Sequence, residues 1–223
     1  CYESHSTYIS EPGNMSVETA LRTLDLYYSK YTYIREIKFF GGEPALNQEV
    51  ILAVGQYIEK LYAQGVMSKK PVFKIITNGT IMNQEFIELI RTYKMKVVFS
   101  IDGDEVVHDL LRVYPKKNKT FKVIYDNFFR LREATDNVQP YSINATYTGV
   151  HETAGISIND LLWKLSDIFP VEPKKINIHL VTADASLPFS IKGSDPMYQS
   201  AEDALIRSEA GDSRTHTRLK AVI

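Results

Sequence analysis

Cysteine is almost missing from this chain of 223 residues, which has one, Cys1. A lone cysteine cannot close an internal disulfide, which fits a reducing compartment. An excess of one charge is missing too: 26 Lys and Arg stand against 27 Asp and Glu, for a formal charge of -1. Without a global basic field, nonspecific nucleic-acid binding is excluded as a main role. No apolar run approaches the roughly 20 residues that cross a bilayer. The start "CYESHSTYIS" lacks the basic region and apolar core of a signal peptide. These absences imply a cytoplasmic protein with neither nucleic acid nor membrane as partner.

Common catalytic signatures are absent as well. There is no G-x-G-x-x-G, no G-x-x-x-x-G-K-[ST] and no G-x-S-x-G, which removes the usual dinucleotide, phosphate-loop and serine-hydrolase readings. None of the five histidines falls in H-x-x-x-H or H-E-x-x-H spacing, so a zinc hydrolase is not expected. His5, His151 and His216 stand isolated in polar segments. No internal repeat and no low-complexity tract occurs.

What is present is ordinary globular material, 44% hydrophobic and 24% charged, and long enough for one large α/β domain. Short β-branched or aromatic runs alternate with amphipathic ones, the pattern of a mostly parallel sheet with crossover helices. Strands are expected at Glu36–Phe40, Phe73–Thr77, Lys96–Ile101, Tyr141–Tyr147 and Lys175–Val181. Helices fit at Ser16–Lys30, Gln48–Gln64, Asn83–Tyr93, Thr120–Ala134 and Asn159–Phe169. Ser16 and Asn83 are good N-cap types, and Gly65 suits a left-handed C-cap. Five βα units in order predict a barrel or open half-barrel, with ligands at the C-terminal strand ends. After Ala183 the chain reads as a loop leading to a helix over Ala201–Glu209. The tyrosines, including Tyr27, Tyr28, Tyr31 and Tyr33, fall at helix and strand spacing and are expected mostly in core and rim packing.

The expected strand ends carry an unusual set of residues: Gly41-Gly42-Glu43-Pro44, then Thr77-Asn78-Gly79-Thr80, then Ser100-Ile101-Asp102-Gly103. Asn144 and Thr146 lie on the fourth strand and His179 on the fifth. Glycines there allow close backbone approach to a small polar ligand. Each loop taken singly is also what any βα turn contains. Glu43 and Asp102 are candidate general acid/base groups, although no second carboxylate or His is fixed near either by spacing. His108 lies four residues before Arg112 on an apparent short helix, where the two can share a face. The plainer reading, favoured by sequence, is a surface ion-pair cluster with Asp104, Glu105 and Asp109.

The series "FFGGEPALN", "KIITNGT", "VVFSIDGDEVVHDLLRVY" and "YSINATY" resembles the core of radical S-adenosylmethionine (SAM) enzymes, nearest to peptide and protein maturases with a C-terminal SPASM or Twitch domain. The likeness runs from Cys1 to about Val181 and is strongest over Ile37–Arg112. It implies a partial (β/α)6 TIM-like barrel whose first strand precedes residue 1, with a core over 1–182. Residues 183–223 would then be a linker and helix leading toward the C-terminal domain. It further implies that Cys1 is the last cysteine of a C-x3-C-x2-C loop holding a 4Fe-4S cluster, so the chain is expected to be a segment of a longer protein, inactive alone. Auxiliary iron–sulfur clusters would belong to the C-terminal domain.

By the same resemblance, Gly41, Gly42, Glu43 and Pro44 bind the amino group of SAM, with Glu43 shaping the site. Ser100 lies on a SAM-contacting strand, Arg112 approaches the SAM carboxylate, Asn144 sits where ribose contacts are usual, and Leu180 near the adenine. Asn78 and Asp102 face the same cavity. The implied activity is reductive cleavage of SAM and hydrogen abstraction from a precursor peptide or protein, installing a thioether crosslink, with flavodoxin or ferredoxin as electron donor. The alternatives are a formylglycine-forming sulfatase maturase and a noncatalytic peptide-binding scaffold lacking the cluster.

Overall fold

The structure, a computed structural model, describes residues 13–114, 118–136, 140–181, 187, 189–191 and 220–221. Cys1, His5, His216 and the helix expected over Ala201–Glu209 lie outside the described residues. In chain order the elements are α1 (Val17–Tyr28), β1 (Glu36–Phe39), α2 (Gln48–Ala63), β2 (Val72–Thr77), α3 (Gln84–Thr92), β3 (Lys96–Ser100), α4 (Glu105–Leu111), β4 (Val113–Tyr114), β5 (Asn118–Lys119), α5 (Phe121–Ala134), β6 (Tyr141–Tyr147), α6 (Gly149–Thr153), α7 (Ile158–Ile168), β7 (Ile176–Leu180) and β8 (Lys220–Ala221). Short 3-10 turns occupy Pro44–Leu46 and Pro173–Lys175.

The main sheet has the strand order β1-β2-β3-β6-β7-β8. Its pairing is parallel, for example Phe39 opposite Ile75 and Tyr147 opposite Leu180. Parallel neighbours need crossovers, which the helices between strands supply. The five expected strands all form, each ending within one residue of the sequence reading. Ser16 caps α1 by accepting the Thr19 amide, and Asn83 caps α3 by accepting that of Phe86. Gly65 follows α2 with φ 73°, as its expected C-cap role requires.

The β4–β5 ribbon, α6 and β8 were not expected. Two-residue strands are too short to show a period, and α6 is a single short turn of helix. Of the expected tyrosine packing, Tyr28 alone among Tyr27, Tyr28, Tyr31 and Tyr33 is buried. The reason lies in α1, whose buried face is Ala20, Leu24 and Tyr28 at four-residue spacing, leaving Tyr27 off that face.

The chain divides into two compact units, Cys1–Val98 with Asn127–Pro140, and Phe99–Asp126 with Tyr141–Ile223. The first packs Val54 and Ile58 of α2, Ile75 of β2, Phe86, Ile87 and Ile90 of α3, and Phe128 and Leu131 of α5 into its core. Gly55 lets α2 approach Tyr93, since a Cβ there would lie 2.2 Å from the ring. In the second unit β6 alternates strictly, with Tyr141, Ile143, Ala145 and Tyr147 buried and Ser142, Asn144 and Thr146 half-buried. The alternation sets apolar side chains on one face and a polar row on the other. Phe169 meets Phe121 edge-on and Tyr125 at a tilt, with ring centroids 6.0 and 5.8 Å apart, which ties the end of α7 to the start of α5. No helix among the described residues is long and apolar enough to cross a membrane.

Candidate functional site

In the first unit β1 ends at Phe39 and the chain passes through Gly41 and Gly42 to Glu43, the cap of the Pro44–Leu46 turn. Pro44 takes the first position of that turn, where a missing N–H is tolerated. Oε1 of Glu43 accepts the Ala45 amide at 3.0 Å and the Thr77 hydroxyl at 2.7 Å, while Oε2 accepts the Asn78 amide at 2.7 Å. The carboxylate thereby ties the glycine loop to the tip of β2. Hydrogen bonds to a charged acceptor contribute about 1.5–3 kcal/mol each, so three make this a firm joint.

Thr77 in turn accepts the Gly79 amide at 3.0 Å, and Asn127 donates to the Gly79 carbonyl at 2.9 Å. Oδ1 of Asn78 accepts both the amide and the hydroxyl of Thr80, at 2.9 and 2.7 Å. Gly79 has φ 74°, the left-handed conformation that favours glycine. A Cβ on Gly41 would meet nothing within 4 Å. Among the described residues no backbone donor uses the carbonyls of Gly41 or Gly42. The loop is therefore rigid at Glu43 and, among the described residues, open at Gly41, whose carbonyl can accept from a cationic group.

The second unit holds Ser100, Asp102, Arg112, Asn144 and Leu180, and joins two of them directly. Asp102, 4% exposed, receives Arg112 Nε on Oδ2 at 2.5 Å and Nη2 on Oδ1 at 3.2 Å. Oδ1 also accepts the Thr146 amide at 2.7 Å. The side chain of Arg112 remains 34% exposed. A planar, two-point pair of this kind fixes the guanidinium plane. Asn144 accepts from Asn177 Nδ2 at 3.1 Å, its register partner on β7. Ser100 and Leu180 are half-buried at the ends of β3 and β7. Glu43 and Asp102 are each engaged on both carboxylate oxygens, so the arrangement favours structural over general acid/base work for both.

His108 departs from the expected surface cluster, for it is fully buried. Its Nδ1 accepts the Asp102 amide at 3.2 Å, and its Nε2 lies 3.1 Å from Thr120 Oγ1. Burial pushes its pKa down to about 4, with Asp102 pulling it up and Arg112 adding to the fall. The other members of that cluster also have specific partners. Asp109 accepts the amides of Thr120 and Phe121, both at 2.9 Å, at the start of α5, where unpaired N–H groups and the helix dipole favour a carboxylate. Asp104 bonds Lys164 of α7 at 2.7 Å.

His151, read as isolated, is buried too. Its Nδ1 accepts the Thr148 amide at 3.0 Å and its Nε2 lies 2.6 Å from the Asp102 carbonyl. Burial lowers its pKa as well. Sequence spacing gives no part here to the side chains of Thr120, His151 and Asn177. The one local signal was Thr148 with His151 three residues on, a capping box with His in place of the usual Glu or Gln.

Residues 1–154, more than half of the chain, match the Radical SAM superfamily. The chain belongs to that family. Radical SAM proteins use a 4Fe-4S cluster and S-adenosylmethionine. The chain is 33% identical over 116 residues to the uncharacterized protein MJ0907 of Methanocaldococcus jannaschii, an overlap of 50% of this chain and 38% of that protein. It is 30% identical over 131 residues to the antilisterial bacteriocin subtilosin biosynthesis protein AlbA of Bacillus subtilis, 55% of this chain and 26% of that one. The matches thus span well under half the length of these relatives.

Among solved structures, native anSMEcpe with bound AdoMet superposes with a TM-score of 0.70 at 18% identity, covering 97% of this chain and 57% of that one. SuiB of Streptococcus suis bound to S-adenosylmethionine gives 0.61 at 12% identity, covering 97% and 45%. At such identities the likeness is one of fold, and the α/β, parallel-stranded partial barrel of the family is the fold of this chain.

The two cofactors fit the described residues unequally. In the first unit the glycine loop suits an ammonium, and in the second unit Arg112 suits a carboxylate. An iron–sulfur cluster needs thiolates. The single cysteine lies outside the described residues, among which no group of three or more His, Cys, Asp or Glu gathers to hold a metal.

Proposed function

We propose that this chain is the SAM-binding core of a radical enzyme that modifies a ribosomally made precursor peptide, installing a thioether crosslink. The observation that carries the peptide assignment is the 30% identity over 131 residues to AlbA, a protein of bacteriocin biosynthesis. In this reading the carbonyls of Gly41 and Gly42 accept from the amino group of SAM, and Glu43 keeps their loop in place through Thr77 and Asn78. Pro44 stiffens the loop's exit. Arg112 binds the carboxylate, held in plane by Asp102. Asn144 takes the ribose, with Asn177 orienting its amide, and Leu180 packs on the adenine, while Ser100 and Asn78 are further SAM-binding residues. Cys1 supplies one thiolate to the cluster.

The chemistry supplied by the bound cluster and SAM is reductive cleavage to methionine and a 5'-deoxyadenosyl radical that abstracts hydrogen from the peptide. The protein's share is to orient the bound groups and exclude water and competing reactants. Flavodoxin or ferredoxin is the proposed electron donor, and auxiliary clusters are proposed for the rest of the full-length protein.

The test is anaerobic reconstitution of the full-length protein, followed by measurement of iron content and of 5'-deoxyadenosine release with and without a cysteine-containing precursor peptide. The expected result is peptide-stimulated release and a product that has lost two hydrogen atoms per crosslink. A hydrazide-reactive aldehyde instead would identify a formylglycine-forming maturase. Absence of any reductant-dependent SAM cleavage would favour the noncatalytic scaffold.

A further inference from the structure

The second unit contains a closed ring of hydrogen bonds that begins and ends on the Asp102–Arg112 pair. The Asp102 amide donates to His108 Nδ1 at 3.2 Å, so that nitrogen carries no proton. The neutral ring then has its proton on Nε2, which donates to Thr120 Oγ1 at 3.1 Å. The Thr120 hydroxyl donates to the Arg112 carbonyl at 2.7 Å. The Arg112 amide donates to the His108 carbonyl at 2.7 Å. Each donor and acceptor in this ring is used once; the carbonyl acceptors fix two of the directions, and the Asp102–His108 bond fixes that of the His108–Thr120 bond.

On the other side of the same residue, the Thr148 amide donates to His151 Nδ1, which leaves His151 Nε2–H to donate to the Asp102 carbonyl at 2.6 Å. A side chain on Gly103 would crowd Val107, whose Cβ lies 3.0 Å from the place of the missing methyl, so the turn has little freedom. Arg112 is thus held at its amide, carbonyl, Nε and Nη2, and among the described residues its Nη1 has no partner.

We propose that His108 is a positioning residue for Arg112, acting through Asp102 and Thr120 to hold the guanidinium edge toward the carboxylate of SAM. The inference rests on the reading of Arg112 given above. It assigns the buried histidine a part in ligand recognition without contact to the ligand. It also separates two roles that one buried network usually mixes, since a strut that only stabilises the fold weakens every ligand alike. A strut that orients Arg112 weakens only ligands that carry the carboxylate.

The experiment uses the reconstituted full-length protein and two ligands, SAM and decarboxylated SAM, which keeps the sulfonium and nucleoside but lacks the carboxylate. Dissociation constants are measured by calorimetry for the parent, Arg112→Gln, His108→Phe and Thr120→Val, with melting curves to confirm folding. Arg112→Gln is expected to weaken SAM on the order of tenfold and leave decarboxylated SAM nearly unchanged. His108→Phe and Thr120→Val are expected to show the same selective loss, at several-fold or more. Folded His108→Phe and Thr120→Val proteins that weaken both ligands equally, or neither, overturn the positioning role. If Arg112→Gln itself fails to discriminate the ligands, the reading of Arg112 falls and takes the inference with it. Thr120→Val removes only a hydroxyl, so it decides the matter if His108→Phe does not fold.

Discussion

Glu43 and Asp102 are both carboxylates set next to glycines after a strand, yet they hold different things. Glu43 holds backbone and hydroxyl groups of its own loops, whereas Asp102 holds a cation that is still partly exposed. Glu43→Gln keeps one acceptor oxygen and turns an NH2 group toward a donor. It is expected to cost about 2 kcal/mol in urea unfolding, the scale for leaving a buried donor unpaired. A histidine whose pKa falls on folding stabilises the folded state above its unfolded pKa, and that contribution is lost as pH drops. For His108, at about 4 when folded, the window runs from about 6.5 down to about 4 and is worth on the order of 3 kcal/mol. His108→Gln is therefore expected to lose less stability than the parent between pH 7 and pH 4.5, read by denaturant titration at each pH. None of this was legible from spacing alone. His108 looked like part of a charged surface, because the groups that bury it, Thr120 and Phe121, come from another element.

The regular elements were legible because their periods are long enough to register. β6 alternates over seven residues, and α3 places Phe86, Ile87, Leu89 and Ile90 on its buried face. β4, β5 and α6 offered no such run: β4 and β5 are two residues each and pair with each other, and α6 is held through His151 by the distant Asp102 carbonyl. Close packing between elements was equally hidden: nothing near Gly55 in the chain announces Tyr93. Gly55→Ala must move that ring or the helix, and is expected to destabilise by about 1–3 kcal/mol despite the better helix propensity of alanine. Denaturant unfolding beside Tyr93→Leu/Gly55→Ala checks the cause, since the smaller side chain should restore much of the loss.

For the whole molecule, the glycine loop and Asn78 belong to one compact unit, while Ser100, Asp102, Arg112, Asn144 and Leu180 belong to the other. The motif series disclosed the family and its fold, but Cys1, the proposed cluster ligand, lies outside the described residues, so the redox half of the reading rests on the family. A ligand that binds only the folded protein stabilises it by about 2.7 kcal/mol at a hundredfold excess over its dissociation constant. SAM is expected to raise the melting temperature of the reconstituted full-length protein accordingly. Glu43→Ala, which frees the glycine loop, is expected to abolish most of that rise, as read by calorimetric melting.

The amide of Asp102 ends on an imidazole nitrogen instead of a carbonyl oxygen. A carbonyl accepts at any ordinary pH, but this acceptor vanishes when the ring takes up a proton. Deuterium uptake at that one amide would therefore track the protonation of His108, with slow exchange at neutral pH and a loss of protection in acid beyond that of neighbouring strand amides. The backbone carries its own indicator of the state of a side chain that solvent does not touch.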